Sequence, residues 1–357
     1  MTGPRYIEVC AGAGGWGIGL HRAGWTGTGM ELSDVAAETH RAHVGPCLTA
    51  DITTAAAPHA ADLVCGGVPC QSFSLAGNRG GLSDARGQLF NHLLRIAVEA
   101  GARVCAMENV RGLVHLGALP VILGAFRAHG FEPVHALLNA ADYGVPQNRV
   151  RLFVVGFRHA EDLARFQWPA PTHGAPGNLF GLPPWRTVRE ALDLPGGQDL
   201  LSPIDAPSCT VLATEGRDGA RGARGGKARG RGASYALAAA CAELIAELTA
   251  ARLIDRPATT VTGDARIPPA GHHGHASMSV RATRLTVRDC ARLQSFPDAM
   301  VFGGTQTEQF RQVGNAVPPP LGEAIARAVL AALGGVAHRG AATIADAHQL
   351  SLLGGAR

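Results

Sequence analysis

The feature that most constrains the fold is the alternation of short apolar strands with helical segments along the amino-terminal half of the chain. Residues 88–100 carry leucine and isoleucine at helical spacing, which predicts a helix between two of these strands. Strands that alternate with helices predict an α/β fold with a mostly parallel sheet, whose ligands bind at the carboxyl ends of the strands. The predicted strands are residues 6–10, 28–31, 62–65, 104–108 and 151–157.

A glycine-rich turn follows the first predicted strand. Residues 12–17 read Gly-Ala-Gly-Gly-Trp-Gly, and Glu31 ends the second predicted strand about 20 residues later. Glycines let the backbone approach a bound nucleotide closely, and an acidic side chain after the second strand can bind ribose hydroxyls. Read alone, this pattern fits a nicotinamide dinucleotide as well as an adenosyl methyl donor.

Two further strand ends carry residues suited to one difficult reaction, the methylation of cytosine at carbon 5. Residues 67–74 read Gly-Val-Pro-Cys-Gln-Ser-Phe-Ser, and Glu108 ends the next predicted strand. A thiolate at Cys70 can add to carbon 6 of the base while an acid at Glu108 protonates ring nitrogen 3. The enamine that results can attack a sulfonium methyl group. The alternatives for these two residues are a buried cysteine and a carboxylate that caps a helix.

A different class of enzyme also places proline and cysteine beside a nucleobase. Zinc deaminases carry P-C-x-x-C together with an upstream H-x-E motif. Phe73 stands where the second cysteine is required, and alanine rather than glutamate stands two residues after His59. The sequence therefore excludes this class. His272, His273 and His275 have no cysteine or carboxylate at ligand spacing, so we predict no metal site.

The order of the motifs along the chain resembles that of the cytosine-5 DNA methyltransferase family. In that order the blocks cover residues 5–158 and 284–330. A single block has little weight, whereas many blocks in the family's order make the resemblance specific. The matching blocks are residues 8–15 (EVCAGAGG), 31, 51–52 (DI), 69–71 (PCQ), 108–110 (ENV), 147–151 (QNRVR), 285–297 and 312–319 (QVGNAVPP).

The resemblance implies that S-adenosylmethionine binds at the carboxyl ends of the first strands. Glu31 would hold the ribose, Asp51 would accept a hydrogen bond from the adenine amino group, and Ile52 would pack on the base. The family usually has phenylalanine where Cys10 stands and often tryptophan where Leu32 stands, and these differences can loosen cofactor binding without changing its identity. The implied cofactor-binding residues are Cys10, Gly12, Gly14, Gly15, Glu31, Asp51, Ile52, Pro69, Leu89 and Asn315.

The resemblance also implies which residues act on the base. Arg151 would donate to oxygen 2 of the cytosine, and Arg149 would brace the catalytic loop or a phosphate. The block from residue 147 is a predicted strand start, and alternation places the two arginines on one face. Read alone, they could equally be surface arginines. The implied catalytic residues are Cys70, Glu108, Arg149 and Arg151, and the implied substrate-binding residues are Gln71, Ser74, Asn109 and Gln147.

These assignments predict a Rossmann-like, S-adenosylmethionine-dependent methyltransferase domain and a smaller target-recognition domain. The first would comprise residues 1–165 and 300–335, the second residues 166–299, and residues 336–357 would form a tail. DNA would lie in the cleft between the domains. The target cytosine would be flipped out of a specific double-stranded sequence, because the reacting carbon is unreachable inside the duplex.

Charge is modest and unevenly distributed. The net charge is +4, and residues 215–233 hold six Arg or Lys side chains against two acidic ones. This Gly/Arg-rich segment is either a solvated flexible loop or an arm that contacts phosphates, and the two interpretations are compatible. We find no secretory signal and no apolar run of about 18 residues. The eight cysteines lack metal-site spacing, so we expect a reducing, cytoplasmic setting with free thiols. We also expect a monomer.

Three alternatives remain open from the sequence. An RNA cytosine methyltransferase would share the catalytic core, although the long middle region favours a protein that reads duplex DNA. A non-catalytic DNA-binding relative would not need Cys70, Glu108 and Arg151. A nicotinamide oxidoreductase would need only the glycine-rich turn. A cognate restriction endonuclease would be a further partner if the enzyme belongs to a restriction-modification pair.

Overall fold

The structure, a computed structural model, describes residues 3–69, 89–115, 117–193, 208–209 and 285–334. Several predictions concern residues outside these ranges. They are the nucleophile Cys70, the substrate-binding residues Gln71 and Ser74, the Gly/Arg-rich segment 215–233, the histidines at 272–275 and the tail 336–357.

A seven-stranded sheet forms the centre of the described fold. Its strands are β1 (Arg5–Val9), β2 (Thr26–Glu31), β3 (Cys47–Thr49), β4 (Leu63–Gly66), β5 (Val104–Val110), β6 (Glu132–Asn139) and β8 (Val150–Phe157), with β7 (Gln147–Asn148) just before β8. The order across the sheet is β3-β2-β1-β4-β5-β8-β6. β8 runs antiparallel to β5 and β6, and the other pairs of this sheet are parallel. The predicted α/β fold with a mostly parallel sheet is therefore confirmed.

The predicted strand start at residue 147 is wrong in one respect. β7 is separate from β8 and pairs in parallel with β9 (Ser208–Cys209). Arg149 lies in the break between β7 and β8, where the chain leaves the small sheet and joins the large one. The two arginines therefore do not alternate along one strand, because the pairing with β9 interrupts it.

Helices cover both faces of the sheet. They are α1 (Gly15–Arg22), α2 (Asp34–His43), α3 (Leu89–Glu99), α4 (Gly112–His115), α5 (Leu119–Ala128), α6 (Ala160–Arg165), α7 (Val188–Ala191), α8 (Val287–Leu293), α9 (Gln306–Asn315) and α10 (Pro319–Ala332), and a 3-10 helix spans Ala140–Tyr143. Local sequence explains several helix starts. Ser33 caps α2, and Thr286 and Thr305 open α8 and α9 with capping boxes. None of the described helices is long and apolar enough to cross a bilayer.

Successive residues of the central strands pack into two separate apolar clusters. Tyr6 of β1 and Leu63 of β4 lie in a cluster with residues of α1 and α10. Ile7 and Val64, their neighbours along the same strands, lie in a second cluster with residues of α3 and α5. A sheet that is covered on both faces explains why its strands read as nearly continuous apolar runs.

A third apolar cluster bears on the boundary between the proposed domains. It joins Cys290 of α8 and Phe310 of α9 to Ala13 and Ile18 near the start of α1, with Leu285 packed against it. The segment from residue 285 onwards therefore packs with the methyltransferase fold. We propose that this domain resumes at residue 285, rather than at 300 as the sequence suggested.

One edge of the sheet collects the predicted site. The parallel strands β1, β2, β4 and β5 all end there, because their pairing places their carboxyl ends side by side. β8 begins at the same edge, since it is antiparallel and Arg151 lies opposite Val110, the last residue of β5. Side chains from distant parts of the sequence therefore meet along this edge.

Candidate active site

The turn between β1 and α1 is built from positive φ angles. Cys10, Gly12 and Gly14 adopt φ of 51°, 55° and 86°, and α1 begins at the next residue, Gly15. A β-carbon at Gly14 would also lie 2.7 Å from the His40 ring of α2. Glycine is therefore required at position 14 for space as well as for conformation.

Gly15 brings the end of α9 to the glycine-rich turn. A β-carbon at Gly15 would collide with the carbonyl oxygen of Val317, so only glycine allows the two backbones to approach this closely. Asn315, the last residue of α9, is exposed two residues before that contact. The two predicted cofactor-binding residues Gly15 and Asn315, far apart in sequence, are thus neighbours in the fold.

Glu31 is fixed by backbone hydrogen bonds on both sides. Its Oε2 accepts from the Gly12 amide at 2.8 Å, and its Oε1 accepts from the Ser33 amide at 2.9 Å. Each carboxylate oxygen has further acceptor capacity, and the side chain is half-buried. Glu31 is therefore held in place against the turn and can still accept hydrogen bonds from a ligand.

The segment after β3 offers a carboxylate and an apolar surface. Hydrogen bonds from Thr53 hold the pKa of the exposed Asp51 below its usual value, so Asp51 is ionised at neutral pH. Ile52 is buried in one cluster, against which the half-buried Cys10 and Leu89 pack. Burial, reinforced by nearby carboxylates, raises the pKa of the Cys10 thiol to about 12. Cys10 is therefore protonated and contributes apolar surface.

Two other positions of interest are open to solvent. Pro69, at the end of a described range, is exposed. Leu32, which stands where the resembled family often has tryptophan, is 67% exposed. A ligand held by Glu31 would have room to cover this leucine.

Glu108 lies at the same edge, near the end of β5. Its buried carboxylate forms an ion pair with Arg151, with 3.1 Å between Oε1 and the arginine Nε. Among the described residues, Oε1 has no hydrogen-bond partner of good geometry. A β-carbon at Gly67 would lie 3.3 Å from Oε2. The segment that leads to Cys70 therefore passes directly beside the carboxylate.

Asn109 ties this segment to β5. Its Nδ2 donates to the carbonyl of Val68 at 2.8 Å, and its Oδ1 accepts from the Val110 amide at 2.8 Å. This hydrogen bond joins Val68, two residues before Cys70, to Asn109, the residue after Glu108. It fixes the backbone that precedes the predicted nucleophile relative to the predicted acid.

Arg149 is buried, with 2% of its surface exposed, and its Nη1 donates to the carbonyl of Gly314 at 3.1 Å. Burial, with a contribution from Arg151, lowers the pKa of Arg149 to about 9. Burial also lowers the pKa of Arg151. The interpretation of these two residues as surface arginines is therefore wrong.

Two residues support Arg149, and the sequence analysis missed the first of them. Asn139 at the end of β6 accepts from the Arg149 amide at 3.0 Å, and donates to Asn148 Oδ1 at 2.6 Å. Gly314 accepts from a side chain 165 residues away in sequence. The block at 312–319 included Gly314, but nothing in the sequence indicated its partner. Gln147, next to this network, is completely buried.

The described site thus has two neighbouring parts. The glycine-rich turn, Glu31, Asp51, Ile52, Leu89 and Asn315 form one, and Glu108, Asn109, Arg149 and Arg151 form the other. In the described ranges, no three side chains of the metal-binding types come together.

Comparison with known proteins gives a consistent result. A sequence model of the family described as C-5 cytosine-specific DNA methylase matches residues 5–191 and 236–331. Type II methyltransferase M.AquIA of Picosynechococcus sp. is 37% identical over 240 residues, which cover 58% of this chain and 93% of that protein.

Two further relatives match most of the chain. Type II methyltransferase M.HpaII of Haemophilus parainfluenzae is 30% identical over 346 residues, which cover 92% of this chain and 90% of that protein. Type II methyltransferase M.NgoMIV of Neisseria gonorrhoeae is 31% identical over 349 residues, which cover 92% of this chain and 97% of that protein.

Solved structures share the fold at low sequence identity. The S. pombe Dnmt2 methyltransferase superposes with a TM-score of 0.56 at 17% identity, covering 92% of this chain and 99% of that one. The Entamoeba histolytica methyltransferase EhMeth superposes with a TM-score of 0.59 at 12% identity, covering 93% of this chain and 99% of that one.

Proposed function

The chain belongs to the C-5 cytosine-specific DNA methylase family, and we propose that it methylates a flipped-out cytosine through a covalent Cys70 adduct. It is a DNA (cytosine-5) methyltransferase. The observation that carries the proposal for the site is the buried Glu108–Arg151 pair at the end of β5, beside the segment that leads to Cys70.

The residues around the glycine-rich turn fit S-adenosylmethionine chemically. The Glu31 carboxylate, fixed by two amides, suits a pair of ribose hydroxyls. Asp51 is ionised and suits an exocyclic amine. Ile52 and Leu89 offer apolar surface for a purine ring. When bound, S-adenosylmethionine supplies an electrophilic methyl group.

We assign the base chemistry to three residues. Glu108, which is ion-paired with Arg151 in the described structure, takes up a proton when the base binds. The Cys70 thiolate adds to carbon 6, and Glu108 delivers this proton to nitrogen 3, so the ring becomes a neutral enamine. Carbon 5 takes the methyl group and then loses its proton to solvent water, the bond to Cys70 breaks to release the thiolate, and nitrogen 3 returns its proton to Glu108. Arg151, paired with Glu108 at 3.1 Å, is suited to donate to oxygen 2 of the base, where negative charge develops.

Asn109 and Arg149 are assigned supporting roles. The Asn109 side chain holds the backbone before Cys70, so it orients the nucleophile relative to Glu108. Arg149 connects the start of β8 to the end of α9 and braces the two parts of the site against each other. Gln71 and Ser74 remain proposed contacts to the target base. Gln147 was predicted to be a third, but it is completely buried, so we propose that it supports the site from the interior.

The substrate we propose is a specific sequence in double-stranded DNA, read by the middle region of the chain. Because the curated relatives are named type II methyltransferases, we also propose a cognate restriction endonuclease as a partner. The enzyme is proposed to act as a monomer in the cytoplasm.

Bisulfite sequencing of plasmid DNA from cells that express the chain tests this function. We expect protected cytosines in one fixed sequence context with the wild-type chain, and none with Cys70→Ala. Glu323→Gln, a change in an exposed ion pair on α10, is the matched control and should protect like wild type.

Two outcomes contradict the proposal. Protection that persists with Cys70→Ala rules out the covalent mechanism. A wild-type chain that protects no DNA but transfers tritiated methyl groups to RNA overturns the assignment of a DNA substrate.

A further inference from the structure

A buried pair of ionisable side chains lies directly beneath the glycine-rich turn. Glu8 on β1 is 4% exposed and His40 on α2 is completely buried. Glu8 Oε2 lies 3.8 Å from His40 Nε2, and neither atom has a hydrogen-bond partner among the described residues. Burying two such groups costs free energy unless they interact. Neither residue has a role in the site assigned above.

The other ring nitrogen of His40 determines where its proton lies. Nδ1 faces the carbonyl oxygen of Gly45 at 3.3 Å, and a carbonyl can only accept, so Nδ1 carries a proton. Nε2 of a neutral ring would then present a lone pair to the Glu8 carboxylate. Two facing lone pairs repel in a buried site. The pair is therefore stable only when it carries one proton, on either the carboxyl group or the ring.

Three glycines from separate segments close around the pair. A β-carbon would lie 2.8 Å from Glu8 Oε2 at Gly17, 2.7 Å from His40 Cδ2 at Gly14, and 2.8 Å from His40 Nε2 at Gly29. The two side chains thus fill the space that these glycines leave. Because interiors are close-packed, a displacement of the pair moves the backbone of the turn.

Glu8 also lies beside the start of α1. Gly14 gives no side-chain cap, and the first turn of α1 has no acidic residue. A β-carbon at Gly17, in that first turn, would lie 2.8 Å from Glu8 Oε2. Burial raises the pKa of Glu8, whereas His40 and the nearby Gly17 backbone oppose that rise. A carboxyl group beside a helix start interacts favourably with the unpaired amides there.

The thiols, the phenol and the second imidazole around the pair carry no charge near neutral pH. Burial raises the pKa of the neighbouring thiols and phenol and lowers that of the neighbouring imidazole, so these groups are neutral at neutral pH. The titratable groups that face the pair are Glu31 on β2, Cys47 on β3, Cys65 on β4, Tyr6 on β1 and His21 on α1.

We propose that Glu8 and His40 are a positioning pair whose two side chains together carry one proton, and that the pair holds the glycine-rich turn in its cofactor-binding conformation. The proposal rests on the proposed function, because it concerns the affinity of that turn for S-adenosylmethionine. Loss of this proton at alkaline pH brings two lone pairs face to face and loosens the turn. Cofactor affinity therefore falls at alkaline pH.

Calorimetric titration with S-adenosylhomocysteine, from mildly acidic to alkaline pH, tests this role. Glu8→Gln preserves the shape: its amide can donate to His40 and accept from Gly17, but it holds no titratable proton. We expect it to bind within about twofold of wild type at neutral pH and to lose the alkaline decline. Glu8→Leu removes one member of the buried pair and leaves the His40 ring without its partner, so we expect about tenfold weaker binding at every pH. Glu323→Gln is the control and should follow wild type.

The outcomes separate this inference from the proposed function. If the wild-type chain does not bind S-adenosylhomocysteine, the cofactor assignment fails and the inference fails with it. If wild type binds and Glu8→Gln keeps the same alkaline decline, the shared proton is refuted while the proposed function stands. Thermal denaturation checks that each variant folds, and the pH profile of Glu8→Gln decides the matter even if Glu8→Leu does not fold.

Discussion

The ion pair between Glu108 and Arg151 makes a quantitative prediction about stability. Both side chains are largely buried, at 8% and 13% exposure, and the charged atoms are 3.1 Å apart. Removing one partner of a buried pair costs about 3–5 kcal/mol, because the other charge is left without compensation. Arg149 is close enough to Glu108 to interact favourably with it. We therefore expect Arg151→Met to lower the free energy of unfolding by about 3 kcal/mol, the lower end of that range.

Urea denaturation of wild type, Arg151→Met, Glu108→Gln and the double variant measures this effect. Glu108→Gln removes the charge that Arg151→Met leaves behind. The double variant should therefore be more stable than Arg151→Met alone, by about 2 kcal/mol. The urea concentration at the midpoint should shift by the amount that corresponds to this free energy. If the slope of the unfolding free energy against urea concentration is unchanged, the shift reports stability rather than a change in the unfolded state.

Two results would refute this reasoning. One is a double variant that is no more stable than Arg151→Met, since the cost would then not come from the buried carboxylate. The other is an Arg151→Met chain as stable as wild type, which would mean that the pair is solvated. In either case, the proposed electrostatic support of Glu108 by Arg151 would have to be abandoned.

Three further predictions concern the supports of the site. Gly15→Ala should lower the free energy of unfolding more than Gly12→Ala, because an added β-carbon meets a backbone carbonyl at the first position and open space at the second. Alanine at position 12 should cost about 1–2 kcal/mol, because it must adopt the positive φ of Gly12. Equal losses of unfolding free energy for the two variants in urea denaturation would contradict the prediction. Asn109→Ala removes a buried hydrogen bond, so kcat for methyl transfer should fall about tenfold with unchanged affinity for S-adenosylhomocysteine; weaker binding would count against its role. Arg149→Lys loses the planar guanidinium and its hydrogen bond to Gly314, so both binding and transfer should weaken, and calorimetry that shows unchanged binding would refute the link.

The local features of the fold could be predicted from the sequence. The glycine-rich turn follows from glycine spacing after an apolar run, and the hydrogen bond from the Gly12 amide to Glu31 joins that turn to the end of the second predicted strand. The helix predicted at 88–100 corresponds to α3, which begins at Leu89 and buries Leu93, Leu94 and Ile96. These features depend on residue types at short range, which a single sequence contains.

The features that depend on distant partners could not be predicted. β8 is as apolar as a parallel strand, so its composition does not reveal that it runs antiparallel. The sequence predicted that Arg149 and Arg151 alternate along one strand. In the structure, residues 147–148 pair with residues 208–209, and the strand is interrupted at Arg149. The same limit applies to His40, because an isolated histidine on a helix gives no sign that a glutamate of β1 lies beside it.

A short segment, residues 314–317, contacts both parts of the site. The carbonyl of Gly314 accepts from Arg149, at the start of the strand that carries Arg151, and the carbonyl of Val317 abuts Gly15 in the turn. Because protein interiors are close-packed, a shift of Val317 with the turn also moves Gly314, the acceptor of Arg149. Closure of the turn on a cofactor therefore acts on the position of the arginines through packing alone. Cofactor and target base should consequently bind cooperatively, and by linkage each ligand must change the affinity of the other by the same factor. Arg149→Lys should reduce this coupling free energy, because it weakens the contact with Gly314.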